Sequence, residues 1–474
     1  MSAAPLVDTG ALRAAGRHPP MPCRVRLADG RDLELLRSLR VLPGKRVVAE
    51  GRLDGQTVLV KLFISDAAGR HLLRERDGIA ALSAAGIATP EIIAEGRFDG
   101  GGCILLTRFL GSAVSLADLW NAAPRTDDDD AGVALLTPAV EAVGSMHRAG
   151  LSQHDLHLGN FLIEGDRLFV IDGDAIDRHS APLPPAQASA NLAILLAQLP
   201  AAWDTRLDPL LTAYRSVSGI APDAGDLVTE IRRVRAWRLN DLLKKSVRDC
   251  SLFAVHRTFT RFTSVLREAA DDLASLLADP DAGIARGRLL KDGNSATVAL
   301  GEQAGRGVVI KRYNLKSVGH ALSRLLRPSR AWNAWQAAIR LRFLGIGTPE
   351  PLALVEERLG PLRRRAWLIT AFCPGEPLDR VLSAADAPPA AIGRAIIHTF
   401  TTLHAAGVAH GDLKATNLLW DGEALYLIDL DATAEHRNAA EFARAWRRDR
   451  ARLLRNWPAD STLARWLDEH LPVA

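Results

Sequence analysis

Residues 410–420 read HGDLKATNLLW, and residues 154–163 read HDLHLGNFLI. In both, an Asp is followed five positions later by an Asn: Asp412 with Asn417, and Asp155 with Asn160. Working outward from these phrases, the same features recur in the same order. Each half has a β-branched run carrying a Lys, with Lys61 in QTVLVKLF (56–63) and Lys311 in GVVIKRYN (307–314). A stretch of helical period follows, at 67–86 and at 329–345, closed by Gly-Ile-x-Thr-Pro. An apolar strand comes next (103–111 and 366–375), then the Asp loop, then a hairpin ending in IDGD (171–174) or IDLD (428–431). Asp172 lies 17 positions after Asp155, and Asp429 lies 17 after Asp412. Lys61 precedes Asp155 by 94 positions and Lys311 precedes Asp412 by 101. Five features twice in one order predict two copies of one domain, with a period far longer than a solenoid repeat.

The residue types point to phosphoryl transfer. A loop carboxylate, Asp155 or Asp412, can orient a hydroxyl and accept its proton as the oxygen attacks phosphorus. An Asn five residues on (Asn160, Asn417) and a second Asp (Asp172, Asp429) are hard oxygen ligands of the kind magnesium prefers. A strand Lys, Lys61 or Lys311, can grip nucleotide phosphates. His410 opens the second loop, and Lys414 can neutralise charge on the transferring group. These parts predict an α+β chain of two tandem protein-kinase-like domains, each with a β-rich N-lobe and a helical C-lobe. The expected layout is a tail at 1–21, a first domain at 22–280 and a second at 284–474. The Pro and Gly of LLADPDAG (276–283) mark the boundary, and 186–278 reads as mostly helical.

The copies differ in detail. Gln153 stands where the second copy has His410, and His157 where it has Lys414. Aligned on Gly-Ile-x-Thr-Pro, Glu75 of the first helix falls opposite Ala334 of the second. A Lys61–Glu75 pair is therefore expected in the first copy, and Lys311 must be held differently or the second copy is weakened. Neither copy has G-x-G-x-x-G before its Lys. Gly44 in LPGKRVV, beside Lys45 and Arg46, and Gly293 with Asn294 in KDGNSATV are the turn residues expected to cover the phosphates. The run TDDDDAG (126–132) reads as a loop or helix entry, not a metal site.

Bulk composition narrows the class. The chain has 474 residues, 48% hydrophobic and 24% charged, which suits a globular protein of more than one domain. No apolar run approaches the roughly 20 residues of a membrane span, and the N-terminus lacks the apolar core of a secretory signal. Four cysteines, Cys23, Cys103, Cys250 and Cys373, are scattered without a CxxC pair, which suits a reducing cytoplasm. The net charge is +4, but basic residues crowd 231–248, 311–330, 358–365 and 444–455. Such clusters suit solvated helix faces or a phosphate-rich partner. In 441–457, Phe442, Trp446, Leu453 and Trp457 fall at helical spacing, so that stripe is expected in a core, with Arg on the opposite side.

The wording of the second half, VVIKRYN, SRAWNAW, LGIGTPEPLALVEER and HGDLKATNLL with LIDLD, resembles the lipopolysaccharide kinase family, which includes inner-core heptose kinases and Kdo kinases. LPGKRVV, VLVKLF and RERDGIAALSAAGIATP resemble a more distant member. The resemblance covers 25–180 and 285–435. It implies ATP and Mg2+ as cofactors and transfer of the γ-phosphate to a sugar hydroxyl, a heptose of the lipopolysaccharide core. It implies Asp155 and Asp412 as catalytic, Asn160, Asp172, Asn417 and Asp429 as magnesium ligands, and Lys61 and Lys311 as phosphate ligands. The expected partner is a lipid-linked glycan at the inner face of the inner membrane, with the protein cytoplasmic and no nucleic acid bound. Two other readings stand beside it: a protein kinase, disfavoured by the lack of an A-P-E anchor after either second Asp, and a nucleotide-binding scaffold with one pseudokinase copy.

Overall fold

The computed structural model describes residues 4–123, 130–293, 295–314 and 328–473. Asn294, most of the acidic run at 126–132 and the basic stretch within 315–327 lie outside the described residues. The chain divides into two compact units, Met1–Arg235 and Ala236–Ala474.

The first unit opens with an antiparallel sheet. Its strands run in the spatial order Cys23–Arg26, Asp32–Leu42, Arg46–Leu53, Gln56–Phe63, Gly102–Arg108, Ile92–Phe98. Alternation along Gln56–Phe63 sorts the faces: Val58, Val60 and Leu62 point one way, Lys61 and Phe63 the other. Helix Ala68–Ala84 packs on the Lys61 face, with Glu75, Gly78, Ile79 and Leu82 buried. The opposite face is covered by the first residues of the chain. Val7 and Leu12, on and before helix Thr9–Ala14, pack with Val25, Leu33, Val47, Val58 and Val60. The segment expected as a tail is therefore part of this unit, because an apolar sheet face needs a cover.

Helices Asp130–Arg148, Pro185–Leu196 and Asp208–Ser218 follow, joined by the short hairpins of the Asp loop. In Asp130–Arg148 the buried residues Leu136, Ala139, Val140, Val143 and Met146 repeat at helical spacing and face a separate core.

The second unit repeats the order with additions at the other edge. Its sheet runs Phe253–Arg257, Arg261–Leu266, Pro351–Leu359, Leu362–Ala371, Arg306–Tyr313, Ala296–Gln303, Arg288–Gly293. The hairpin at 253–266 falls in a region expected to be helical, and it extends this sheet through pairing of Val265 with Ala353. Residues 273–286, which include the expected boundary, pack Leu273 and Leu276 against Val308, Ile310, Trp367 and Ile369. They cover the outer face here, as the N-terminal segment does in the first unit. The two compact units divide between Arg235 and Ala236. Helix Arg330–Phe343, capped by Ser329 on the Trp332 amide, lies on the Lys311 face. Helices Ala390–Ala405, Ala439–Leu454 and Thr462–His470 build the rest. Trp446, Leu453 and Trp457 are buried, with Phe442 packed against them, as the spacing predicts.

Candidate active site

In the first unit, Lys61 sits mid-strand, paired with Val48 and Leu105. Its ammonium bonds to Glu75, whose side chain is fully buried. Asp172 Oδ1 lies 4.0 Å from the same ammonium and Arg46 lies 3.7 Å from Glu75. Glu75 also accepts from the backbone N–H of Gly173 at 3.1 Å and of Asp174 at 3.3 Å. One carboxylate thus ties strand, helix and loop together. Asn160 Nδ2 donates to the Asp155 carbonyl at 2.8 Å, closing the Asp loop. The Asp155 side chain is more than half exposed, with His157 Nε2 3.9 Å away.

The second unit places Lys311 between Val298 and Leu368. Ala334 is buried and offers it nothing. Lys311 instead donates to Asp429 at 2.5 Å and to Asp431 at 2.8 Å. Asp431, its side chain nearly buried, also accepts from the Tyr313 hydroxyl and from Arg330, each at 2.6 Å. Burial and Asp431 push the Tyr313 hydroxyl well above its ordinary pKa, so it remains a donor. Burial works to raise the Asp429 carboxyl, but the Lys311 ammonium outweighs it and the net shift is downward. Asn417 Nδ2 donates to the Asp412 carbonyl at 2.9 Å. Asp412 is held from two sides, by Lys414 at 2.9 Å and by Arg452.

The two loops share a frame. Asp172 and Asp429 both adopt left-handed backbone, φ 71° and 60°, which costs a non-glycine residue about 1–3 kcal/mol and clusters at functional sites. Ile171 N–H donates to the Asn160 carbonyl, and Ile428 N–H to the Asn417 carbonyl. Gln153 donates to the Ile171 carbonyl at 2.9 Å, and His410 Nε2 meets the Ile428 carbonyl at 3.0 Å. Gln153, standing in the place of His410, therefore binds the matching carbonyl. Burial pushes the His410 imidazole below its ordinary pKa, leaving Nε2–H as donor and Nδ1 facing the Asp412 N–H.

The turn glycines differ. Gly44 has φ 67° and so favours glycine, whereas Gly293 has no such angle and accepts at its carbonyl from Asn314. Among the described residues, no group of three or more His, Cys, Asp or Glu gathers as a metal cage. Magnesium needs no cage; it takes one or two protein carboxylates and completes its shell with water and phosphate. Asp429 with Asn417, and Asp172 with Asn160, fit that demand, since each Asn commits its nitrogen to the loop and its oxygen meets no donor among the described residues.

Residues 285–467 match the family described as Lipopolysaccharide kinase (Kdo/WaaP) family. It is a kinase family, so the match is to enzymes that use ATP. Comparison with curated proteins finds no match. Among solved structures, "WaaP in complex with acyl carrier protein" is 23% identical, covering 44% of this chain and 88% of that one, at TM-score 0.33.

Three residues of the second unit hold the site without a motif that names them: Asp431, Arg452 and Asp449. Asp449 is buried and accepts from the Gly411 N–H at 2.9 Å. Asp449 and Arg452 share helix Ala439–Leu454, one turn apart, and so hold successive residues of the Asp loop. The acidic doublet IDLD was the available signal for Asp431. Nothing in one dimension points from 449 or 452 to the loop.

Proposed function

We propose that this chain is an ATP-dependent phosphotransferase acting on a sugar hydroxyl, a heptose of the lipopolysaccharide core, and that both units are protein-kinase-like. The observation that carries the reading is the Lys–Asp–Asp–Asn set built twice on the same frame, with both second Asp residues left-handed. Lys311 would hold the nucleotide phosphates. Asp412 would orient the sugar hydroxyl and receive its proton, with Lys414 steadying the developing charge. Asn417 and Asp429 would hold magnesium, which when bound neutralises phosphate charge. In the first unit Lys61, Asp155, Asn160 and Asp172 would take these places.

An anionic acceptor is supported by the basic clusters. Those at 231–248 and 358–365 are largely paired internally, as in Arg235 with Asp204 and Arg358 with Glu356. On helix Ala439–Leu454 and just past it, exposed Arg444, Arg448 and Arg455 have no acidic partner among the described residues. They fall on one side of the helix with Arg452, which reaches Asp412. Guanidinium groups match phosphate geometry, so this side suits a phosphorylated glycan at the transfer site. A lipid-linked glycan and cytoplasmic ATP would meet at the inner face of the inner membrane. A peptide acceptor has less support: after Asp431 the chain pairs Ala434–Glu435 with Val408–Ala409 and enters helix Ala439–Leu454, leaving little length for a docking segment.

The test is transfer of labelled phosphate from Mg-ATP to dephosphorylated core lipopolysaccharide. Asp412→Ala is expected to lower transfer by roughly 10²–10⁴-fold, the usual scale of a lost acid–base group. Asp155→Ala, run in parallel, reports whether the first unit contributes. ATP binding with no transfer by the wild type would favour a scaffold over this reading.

A further inference from the structure

The two units build one tie in two ways. In the first, Glu75 on the helix bonds Lys61 and the amides of Gly173 and Asp174. In the second, no helix acid exists, and the loop residue Asp431 bonds Lys311, Tyr313 and Arg330. Both arrangements connect the same three elements, the lysine strand, the helix and the loop after the second Asp.

The surrounding residues differ to match. Counted from the strand Lys, Tyr313 occupies the place of Phe63, which has no hydroxyl. Counted from Gly-Ile-x-Thr-Pro, Arg330 occupies the place of His71. Asp174, at the place of Asp431, turns away from Lys61 toward Arg74 Nε at 3.2 Å and is about a quarter exposed. Asp431 is nearly buried, and a carboxylate there needs compensating donors. It has three, from strand and helix.

The helix–loop spacing differs too. A Cβ on Gly78 would lie 2.0 Å from the Gly173 carbonyl oxygen, and a Cβ on Gly173 would lie 2.3 Å from the Glu75 carbonyl oxygen. Ala337 and Leu430 stand at those two places in the second unit, so the close approach of the first unit is sterically closed to it.

We propose that Asp431 is the positioning residue for Lys311, replacing from the loop the carboxylate that the helix supplies to Lys61. This rests on the kinase reading for the importance of Lys311, but not for the tie itself. Asp431 acts through the lysine: it sets where the ammonium waits for phosphate, while its bond to Arg330 keeps the helix docked.

The experiment uses the full chain and an acyl-phosphate derivative of ATP, which acylates a lysine lying against bound nucleotide phosphates. Modification of Lys311 and of Lys61 is read separately by peptide mass spectrometry. Asp431→Asn is expected to lower Lys311 modification by about tenfold or more, as small misplacements of reacting groups do, and to leave Lys61 unchanged. Tyr313→Phe, which removes one donor and little volume, is expected to give a smaller loss of the same kind. Adding Ala334→Glu to Asp431→Asn is expected to recover most of the modification, a rescue that a merely structural role would not give. Full modification of Lys311 in Asp431→Asn overturns the proposal, as does a wild type in which Lys311 is not modified. A loss that Ala334→Glu leaves untouched overturns it as well. Lysine modification that follows the expected pattern, in a protein that moves no phosphate to core glycan, leaves this assignment standing and sinks the proposed function instead.

Discussion

Gln153 and His410 hold the carbonyl that precedes a left-handed Asp, and they do so with different completeness. His410 has one N–H for the Ile428 carbonyl and a second nitrogen facing the Asp412 amide. Gln153 spends its Nε2 on the carbonyls of Ile171 and Asp172, at 2.9 and 3.3 Å, while its Oε1 is buried without a donor. An orphaned buried acceptor costs about 1–3 kcal/mol. Gln153→His should therefore hold or raise the stability of the first unit, and Gln153→Leu, which strands the Ile171 carbonyl, should lower it by about 1–3 kcal/mol in urea unfolding. A Leu variant as stable as the His variant would contradict the role assigned to this side chain. At this scale the sequence shows the exchanged position but not the partner of its side chain. The exchange of His for Gln is visible in the motif, but the carbonyl it serves lies 18 residues away and becomes its neighbour only in the folded loop.

Helices Ala68–Ala84 and Arg330–Phe343 were readable from period and terminators, because the apolar spacing and the closing Gly obey local rules. How each helix meets its loop was not readable. In the first unit the meeting depends on two glycines, Gly78 and Gly173, that touch backbone to backbone. Glycine within a helix is less favourable than alanine by about 1 kcal/mol, so propensity alone argues for replacing Gly78. Packing argues the reverse, since the new Cβ would sit 2.0 Å from a carbonyl oxygen that cannot rotate away. Overpacking of that kind costs about 1–3 kcal/mol and forces the backbones apart. Gly78→Ala is expected to destabilise the first unit and to separate Lys61 from Glu75, read as lost Lys61 modification by the nucleotide probe with Lys311 unaffected. A more stable Gly78→Ala protein with normal Lys61 modification would show that the close contact is incidental.

Across the whole molecule, the repeated order of features was legible because sequence spacing survives folding unchanged: the loop-to-hairpin interval is 17 in both halves. The covers of the two sheets were not, since which distant segment buries an apolar face is a tertiary choice, made here by residues 4–14 and 273–286. The first unit also carries a response to acid that no motif announces. His147, buried in the first unit, meets the Tyr214 hydroxyl at 2.7 Å and Asn191 Oδ1 at 3.0 Å. Asn191 Nδ2 in turn donates to the Gln153 carbonyl at 2.9 Å, so this pair supports the Asp loop from behind. Burial lowers the His147 pKa from 6.5 to about 4 and raises that of Tyr214 to about 12. The ring is thus neutral, donating from Nε2 to Asn191 and accepting at Nδ1 from Tyr214. The unfolded chain takes a proton on this histidine near pH 6.5, and the folded one refuses it until about pH 4. The stabilisation is therefore complete above the unfolded value and is lost as pH falls through that window, by about 2 kcal/mol between roughly pH 7 and pH 5. Hydrogen exchange along helix Asp130–Arg148 should quicken over that range in the wild type. In His147→Gln, which keeps a polar group but cannot titrate, the exchange free energy should be flat with pH once intrinsic rates are divided out. An equal acid slope in both proteins would place the sensitivity of this unit elsewhere.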